Sequence, residues 1–237
     1  MKSGNVNQVA AFGKLVGICN DLGARYNPSK AALMPTALAT LHVQAQQSLE
    51  AVTVAHISYM LVINRRQERY AGIYPLVARV VRALSSSGTS AANLQDARMI
   101  RRKLASRPVP VVEVPGANGE EGIQQPSRTI SYLDFESKAT VFSSFISLME
   151  RIPSYLPNEK ELQVSALQET LAELKSVSVE VAQAANALAL ARMHRNEVML
   201  GKGGMNETGN AVKEYIRSVF GVRSEPAREL GKLRFAA

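Results

Sequence analysis

Residues 34–66 read MPTALATLHVQAQQSLEAVTVAHISYMLVINRR, and the spacing of their apolar members decides the fold. Met34, Leu38, Leu41, Ala45, Ser48, Val52, Ala55, Tyr59, Val62 and Arg66 follow one another in alternating steps of four and three. Such steps return to one helix face every two turns, the pattern of a helix that buries a narrow seam against another helix. A half-buried strand would alternate at every second residue, and this stretch does not. The helix is expected over about 29–71. Pro35 is tolerated in its first turn, where a backbone N–H has no intrahelical partner to lose, so the regular helix can begin nearer Leu33.

The seam occurs a second time. Residues 163–195 read QVSALQETLAELKSVSVEVAQAANALALARMHR, with Leu167, Leu171, Leu174, Ser178, Val181, Ala185, Leu188, Arg192 and Arg195 in the same steps. Leu38, Ala45, Val52, Tyr59 and Arg66 have counterparts at one constant offset, namely Leu167, Leu174, Val181, Leu188 and Arg195. Tyr26-Asn27-Pro28 recurs at that same offset as Tyr155-Leu156-Pro157. Self-similarity at a fixed offset sets the unit of structure before any single residue is read. A second long helix is therefore expected over about 158–200.

Shorter helices surround the two long ones. Val6, Val9, Phe12 and Val16 predict a helix over 5–22, ended by Gly23. Val77, Val80, Val81 and Leu84 predict another over 76–84, and Ala91 to Leu104 a third. In the second half, helices are expected over 131–151 and 208–220, with a last short one opened by Ser224-Glu225-Pro226. Pro108, Pro110, Pro115 and Pro126, with Gly116, Gly119 and Gly122, exclude a helix between 106 and 130 and mark a linker. The expectation is an all-α, duplicated bundle with a pseudo-twofold. A first repeat spans 1–105 and a second 131–237, and the two are expected to pack together.

Composition agrees. Of 237 residues, 46% are hydrophobic, yet only 5% are aromatic and none is Trp, so Ala, Leu and Val must fill the core. One cysteine, Cys19, rules out an internal disulfide, and its apolar setting predicts a buried, inert thiol. No stretch reaches the ~20 apolar residues of a membrane span, and no secretory leader is visible, so a cytoplasmic location is expected.

Charge is unevenly placed. The net +8 is matched by the segment from Leu61 to Arg107 alone, where ten basic residues face only Glu68 and Asp96. Arg79, Arg82, Arg98, Arg101, Arg102, Lys103 and Arg107 form a candidate surface for a polyanion or an acidic partner. No aromatic residues interleave the stripe to stack on bases, so nucleic-acid binding through it would be salt-dependent and weak in sequence preference. Alternatively, it docks on acids of the second repeat of another copy, namely Glu159, Glu161, Glu169, Glu173 and Glu180.

Little of the sequence reads as catalysis. His42, His56 and His194 are scattered, no Gly-x-Ser-x-Gly elbow occurs, and no metal or other cofactor is expected. Gly201-Lys202-Gly203-Gly204 lacks the spacing and the preceding strand of a phosphate loop and reads as a helix end. Arg66 and Arg195 are the one basic pair kept at the same seam position. They are read either as a ligand clamp or as ion pairs fixing helix register, with Arg66 reaching an acid of the second repeat.

Leu15-Val16 to Cys19, Leu22-Gly23-Ala24, Tyr26-Asn27-Pro28, Gly72-Ile73-Tyr74-Pro75-Leu76 and Thr129-Ile130-Ser131 with Phe135 carry a family resemblance. Tyr215 to Gly221 and Gly231-Lys232-Leu233-Arg234-Phe235 extend it to the end of the chain. Together they resemble an uncharacterised helical family of bacteria of the Bacteroidetes group. The resemblance implies a duplicated helical protein and brings no activity, cofactor or catalytic residue with it. The functional expectation is a non-enzymatic scaffold that works through protein–protein contacts, self-assembly among them, with nucleic-acid association through 79–107 as the alternative. Neither a membrane nor a metal is expected as a partner.

Overall fold

The computed structural model describes residues 3–105 and 134–235. The expected linker, residues 106–130, and Arg107 lie outside them. Every regular element among the described residues is helical. The α-helices are α1 (Ser3–Asp21), α2 (Pro35–Ala71), α3 (Ile73–Ser86), α4 (Ala91–Leu104), α5 (Phe135–Glu150), α6 (Val164–Leu200), α7 (Met205–Phe220) and α8 (Glu225–Lys232).

Both long helices have 37 residues, and their bounds differ by 129 at each end. Each starts later than the expected 29 or 158. Met34 is extended, with φ −63° and ψ 144°, because Pro35 disfavours helical geometry in the residue before it. The second long helix has no proline at that point, yet Gln163 takes the same conformation, with φ −64° and ψ 148°. The shared cause is a tyrosine. Tyr26 donates its hydroxyl proton to the Leu33 carbonyl at 2.8 Å, and Tyr155 donates to the Leu162 carbonyl at 2.6 Å. Each bond pins a one-turn 3₁₀ helix (Ala31–Leu33 or Lys160–Leu162) in front of the long helix. Met34, expected on the seam, is therefore left partly exposed.

Two compact units emerge, and they do not follow the expected repeat boundaries. Unit 1 comprises Met1–Leu61 and Gln183–Ala237; unit 2 comprises Val62–Ala182. Each unit takes one end of α2 and one end of α6. In unit 1, Phe12, Leu15, Val16 and Cys19 of α1 pack with Leu38 and Ala45 of α2, Met199 of α6, Met205, Val212 and Ile216 of α7, and Leu230 of α8. In unit 2, Phe142, Phe145, Ile146 and Met149 of α5 pack with Tyr70 of α2, Val77, Val80, Val81 and Leu84 of α3, Ala97 of α4, and Leu167 and Leu174 of α6. The α1 and α5 core residues correspond at an offset of 130, one more than the long helices. The turn after α1, which holds Gly23 at φ 52°, is one residue longer than its counterpart.

Small residues decide the tightest contacts. Gly209 of α7 lies under the Phe235 ring, where a Cβ would come within 2.9 Å of the ring carbons. Phe235 in turn meets Phe12 edge-on at 6.1 Å. Helix starts are marked by side chains. Ser90, Asp134 and Ser224 accept backbone N–H groups at the first turns of α4, α5 and α8.

Candidate functional site

Six of the seven basic residues singled out in the sequence are described, all in unit 2, on α3 and α4. They have different fates. Arg79 is bound to Glu161 at 2.8 Å. Arg101 lies 5.8 Å from the Tyr74 ring centroid in a cation–π contact. Arg82, Arg98, Arg102 and Lys103 are exposed and have no acidic partner among the described residues. Arg101, Arg102 and Lys103 occupy the last turn of α4, where positive charge offsets the partial negative charge of the helix end. Arg79 and Arg82 also line a cleft of about 460 Å³ with Ser86, Tyr155, Asn158 and Glu159.

Glu161, Glu173 and Glu180, expected to receive another copy's basic face, are engaged within unit 2. Arg65 pairs with Glu180, and Arg69 pairs with Glu173 at 3.1 Å. Rising numbers on α2 meet falling numbers on α6, so the two helices run antiparallel there. All three acids take arginines from the first half of the chain, which leaves Glu159 and Glu169 unpaired among the described residues.

Arg66 finds an aromatic ring, where an acid was expected. Its guanidinium carbon stands 4.1 Å from the Phe135 ring centroid, and Tyr70 meets the same ring edge-on at 4.8 Å. Tyr70 also shares a hydrogen bond with Ser178 at 3.2 Å. Arg66 and Tyr70 are four apart on one helix face, and Phe135 opens α5, but no spacing in the sequence links that remote ring to them. Arg195, at the equivalent seam position but in unit 1, has no such ring and donates instead to Asn196 Oδ1 at 2.7 Å. The shared seam position thus carries two different environments.

Two grooves between α2 and α6 occupy corresponding positions. In unit 2, Arg65, Arg69, Glu173, Ser176, Val177 and Glu180 line a groove of about 220 Å³, closed over by the two ion pairs. In unit 1, Gln44, Gln47, Ser48, Ala51, His194, Glu197 and Val198 line one of about 510 Å³. By the offset between the long helices, Gln44, Gln47, Ser48 and Ala51 correspond to Glu173, Ser176, Val177 and Glu180. His194 and Val198 correspond in the same way to Arg65 and Arg69. The side chains of Gln44, Gln47, His194 and Glu197 make no hydrogen bond or ion pair with another described residue.

Cys19 is fully buried, and burial pushes its thiol up to about 11, with Tyr26 as a hydrogen-bonding neighbour. In the loop after α6, Glu207 accepts the Gly203 N–H at 2.8 Å, so the loop's own carboxylate occupies that donor. Among the described residues no three His, Cys, Asp or Glu side chains gather as a metal site would require. No helix among them is long and apolar enough to cross a membrane.

Part of the outward face of each long helix carries exposed apolar side chains. Val54, Ile57 and Leu61 of α2 are 58%, 53% and 63% exposed, and Leu190 and Met193 of α6 are 65% and 66% exposed. No charged residue occurs from Ala51 to Asn64 or from Val181 to Ala191. Comparison of the chain with family models, curated proteins and solved structures gave no match.

Proposed function

We propose that the protein is a non-enzymatic helical scaffold that acts through protein–protein contacts, and that its first partner is a second copy of itself. The observation that carries this reading is the charge-free apolar row Val54, Ile57 and Leu61 on the solvent side of α2, with Leu190 and Met193 on α6 in the same unit. Contiguous apolar surface of this kind marks interaction sites on proteins that are otherwise well covered. A second copy presents the same uncharged row and leaves no charge buried opposite it, as an isologous contact requires. At on the order of 100 Å² per half-exposed side chain, these five contribute roughly 500 Å² per partner, approaching the ~800 Å² of a standard interface.

The repeat supports the reading further. Two long helices of equal length, set at a fixed offset along the chain, fit a gene-level duplication whose heptad seams are fold and whose surfaces have diverged. With Glu161, Glu173 and Glu180 engaged inside unit 2, apolar contact is a better basis for assembly than pairing of a basic repeat with an acidic one. Sedimentation equilibrium of the wild type and of Ile57→Glu with Leu61→Glu tests it. The wild type is expected to associate with rising concentration, and the variant to stay monomeric with unchanged helicity.

A second reading rests on Arg82, Arg98, Arg102 and Lys103, whose charges are unopposed among the described residues. Nucleic-acid association through them would fall steeply with salt. A gel-shift series at rising salt decides it: no retardation at low ionic strength removes the idea.

A further inference from the structure

We propose that the groove of unit 1 between α2 and α6 is a binding site for a peptide carrying an arginine or lysine side chain. This goes beyond self-association and does not depend on it. The inference comes from comparing two grooves at matching positions. In unit 2 the chain fills its own groove: Arg65 and Arg69 reach across from α2 to Glu180 and Glu173. In unit 1 the arginines are replaced by His194 and Val198, and the acids they would meet by Ala51 and Gln44. The larger side chains have gone, and the groove is more than twice as large, about 510 against 220 Å³. Its volume falls in the range of ~300–1,000 Å³ typical of ligand pockets.

What remains has a definite chemistry. Ser48, buried and bonded to its own helix through the Ala45 carbonyl, lines the groove with the small or apolar Ala51 and Val198. Gln44 and Gln47 lie three apart on one face of α2, each with a free carbonyl oxygen and amide group among the described residues. A side-chain carboxamide matches a peptide unit donor for acceptor. Glu197, the one carboxylate of the groove, is likewise unpaired among the described residues. A ligand's cation would find its partner in this carboxylate alone, since Ala51 and Gln44 stand where unit 2 has the acids of its clasp.

The test uses the full chain and blocked dipeptides as probes, acetyl-Gly-Arg-amide against acetyl-Gly-Glu-amide, by NMR titration. The arginine peptide is expected to shift resonances of the groove residues and to bind at least about tenfold more tightly than the glutamate peptide, since one charge-assisted hydrogen bond is at stake. Glu197→Gln should remove most of that preference. The pair Ala51→Glu with His194→Arg rebuilds the unit 2 clasp, keeps a geometry that this protein already folds into, and should block binding without changing the melting temperature. No binding of the arginine peptide at millimolar concentration, equal binding of both peptides, or undiminished binding by the clasped variant would each overturn the proposal.

Discussion

Gly209 shows how far a single atom matters in this core. The Phe235 ring already sits where a Cβ would go, so Gly209→Ala must push the ring off Phe12 or shift α7. Overpacking of this kind costs about 1–3 kcal/mol, and a thermal melt of the variant should show the loss. Cys19 makes a different prediction. Burial holds its thiol at about 11 against an ordinary 9.0, and burial also raises the Tyr26 hydroxyl. The fold keeps both protons where the unfolded chain gives them up. The stabilisation is therefore whole below pH ~9 and is lost as pH rises towards 11. Melting temperature should fall across that window, and Cys19→Ala should flatten the fall. A melting temperature independent of pH between 8 and 11 would contradict the burial described for both groups.

At the scale of elements, the two tyrosine anchors set where the long helices begin. Tyr155→Phe leaves the Leu162 carbonyl without its 2.6 Å partner, and Tyr26→Phe does the same to Leu33. Each should cost about 1–2 kcal/mol, the penalty of an unmet buried hydrogen bond, and hydrogen exchange should rise first in the 3₁₀ turn ahead of α6 or α2. The two ion pairs closing the unit 2 groove should matter less. All four side chains are well exposed, so Arg65→Ala with Arg69→Ala should lose no more than about 1 kcal/mol, and less in high salt. Much at this scale was legible in the sequence. Steps of three and four gave both long helices, Gly201 placed the end of the second, and Ser224 placed the start of the last helix near where it occurs. The long helices begin after the expected 29 and 158, because a 3₁₀ turn that no apolar spacing marks precedes each of them. A tertiary bond from a tyrosine upstream pins that turn. Arg66 was assigned an acid because charge is visible in a sequence, whereas the nearness of a ring as remote along the chain as Phe135 is not. The open groove was invisible for a related reason. It consists of what Gln44, Ala51, His194 and Val198 do not fill, and becomes apparent only beside its counterpart.

At the scale of the whole molecule, each compact unit is built from both halves of the chain. Neither half contains a complete core: residues 1–105 lack α7 and α8 for unit 1, and α5 for unit 2. Separately expressed fragments 1–105 and 131–237 should therefore fail to fold alone, and should regain cooperative melting when mixed. Two independently folding halves would contradict the division into units. The proposed function rests, at this scale, on the charge-free apolar row of α2 with Leu190 and Met193 of α6 beside it, which the internal core does not need. Sedimentation equilibrium of the intact protein over a wide concentration range tests that claim most directly. The account predicts reversible association at both low and high salt, abolished by Ile57→Glu with Leu61→Glu; a wild-type protein that stays monomeric at every concentration would contradict it.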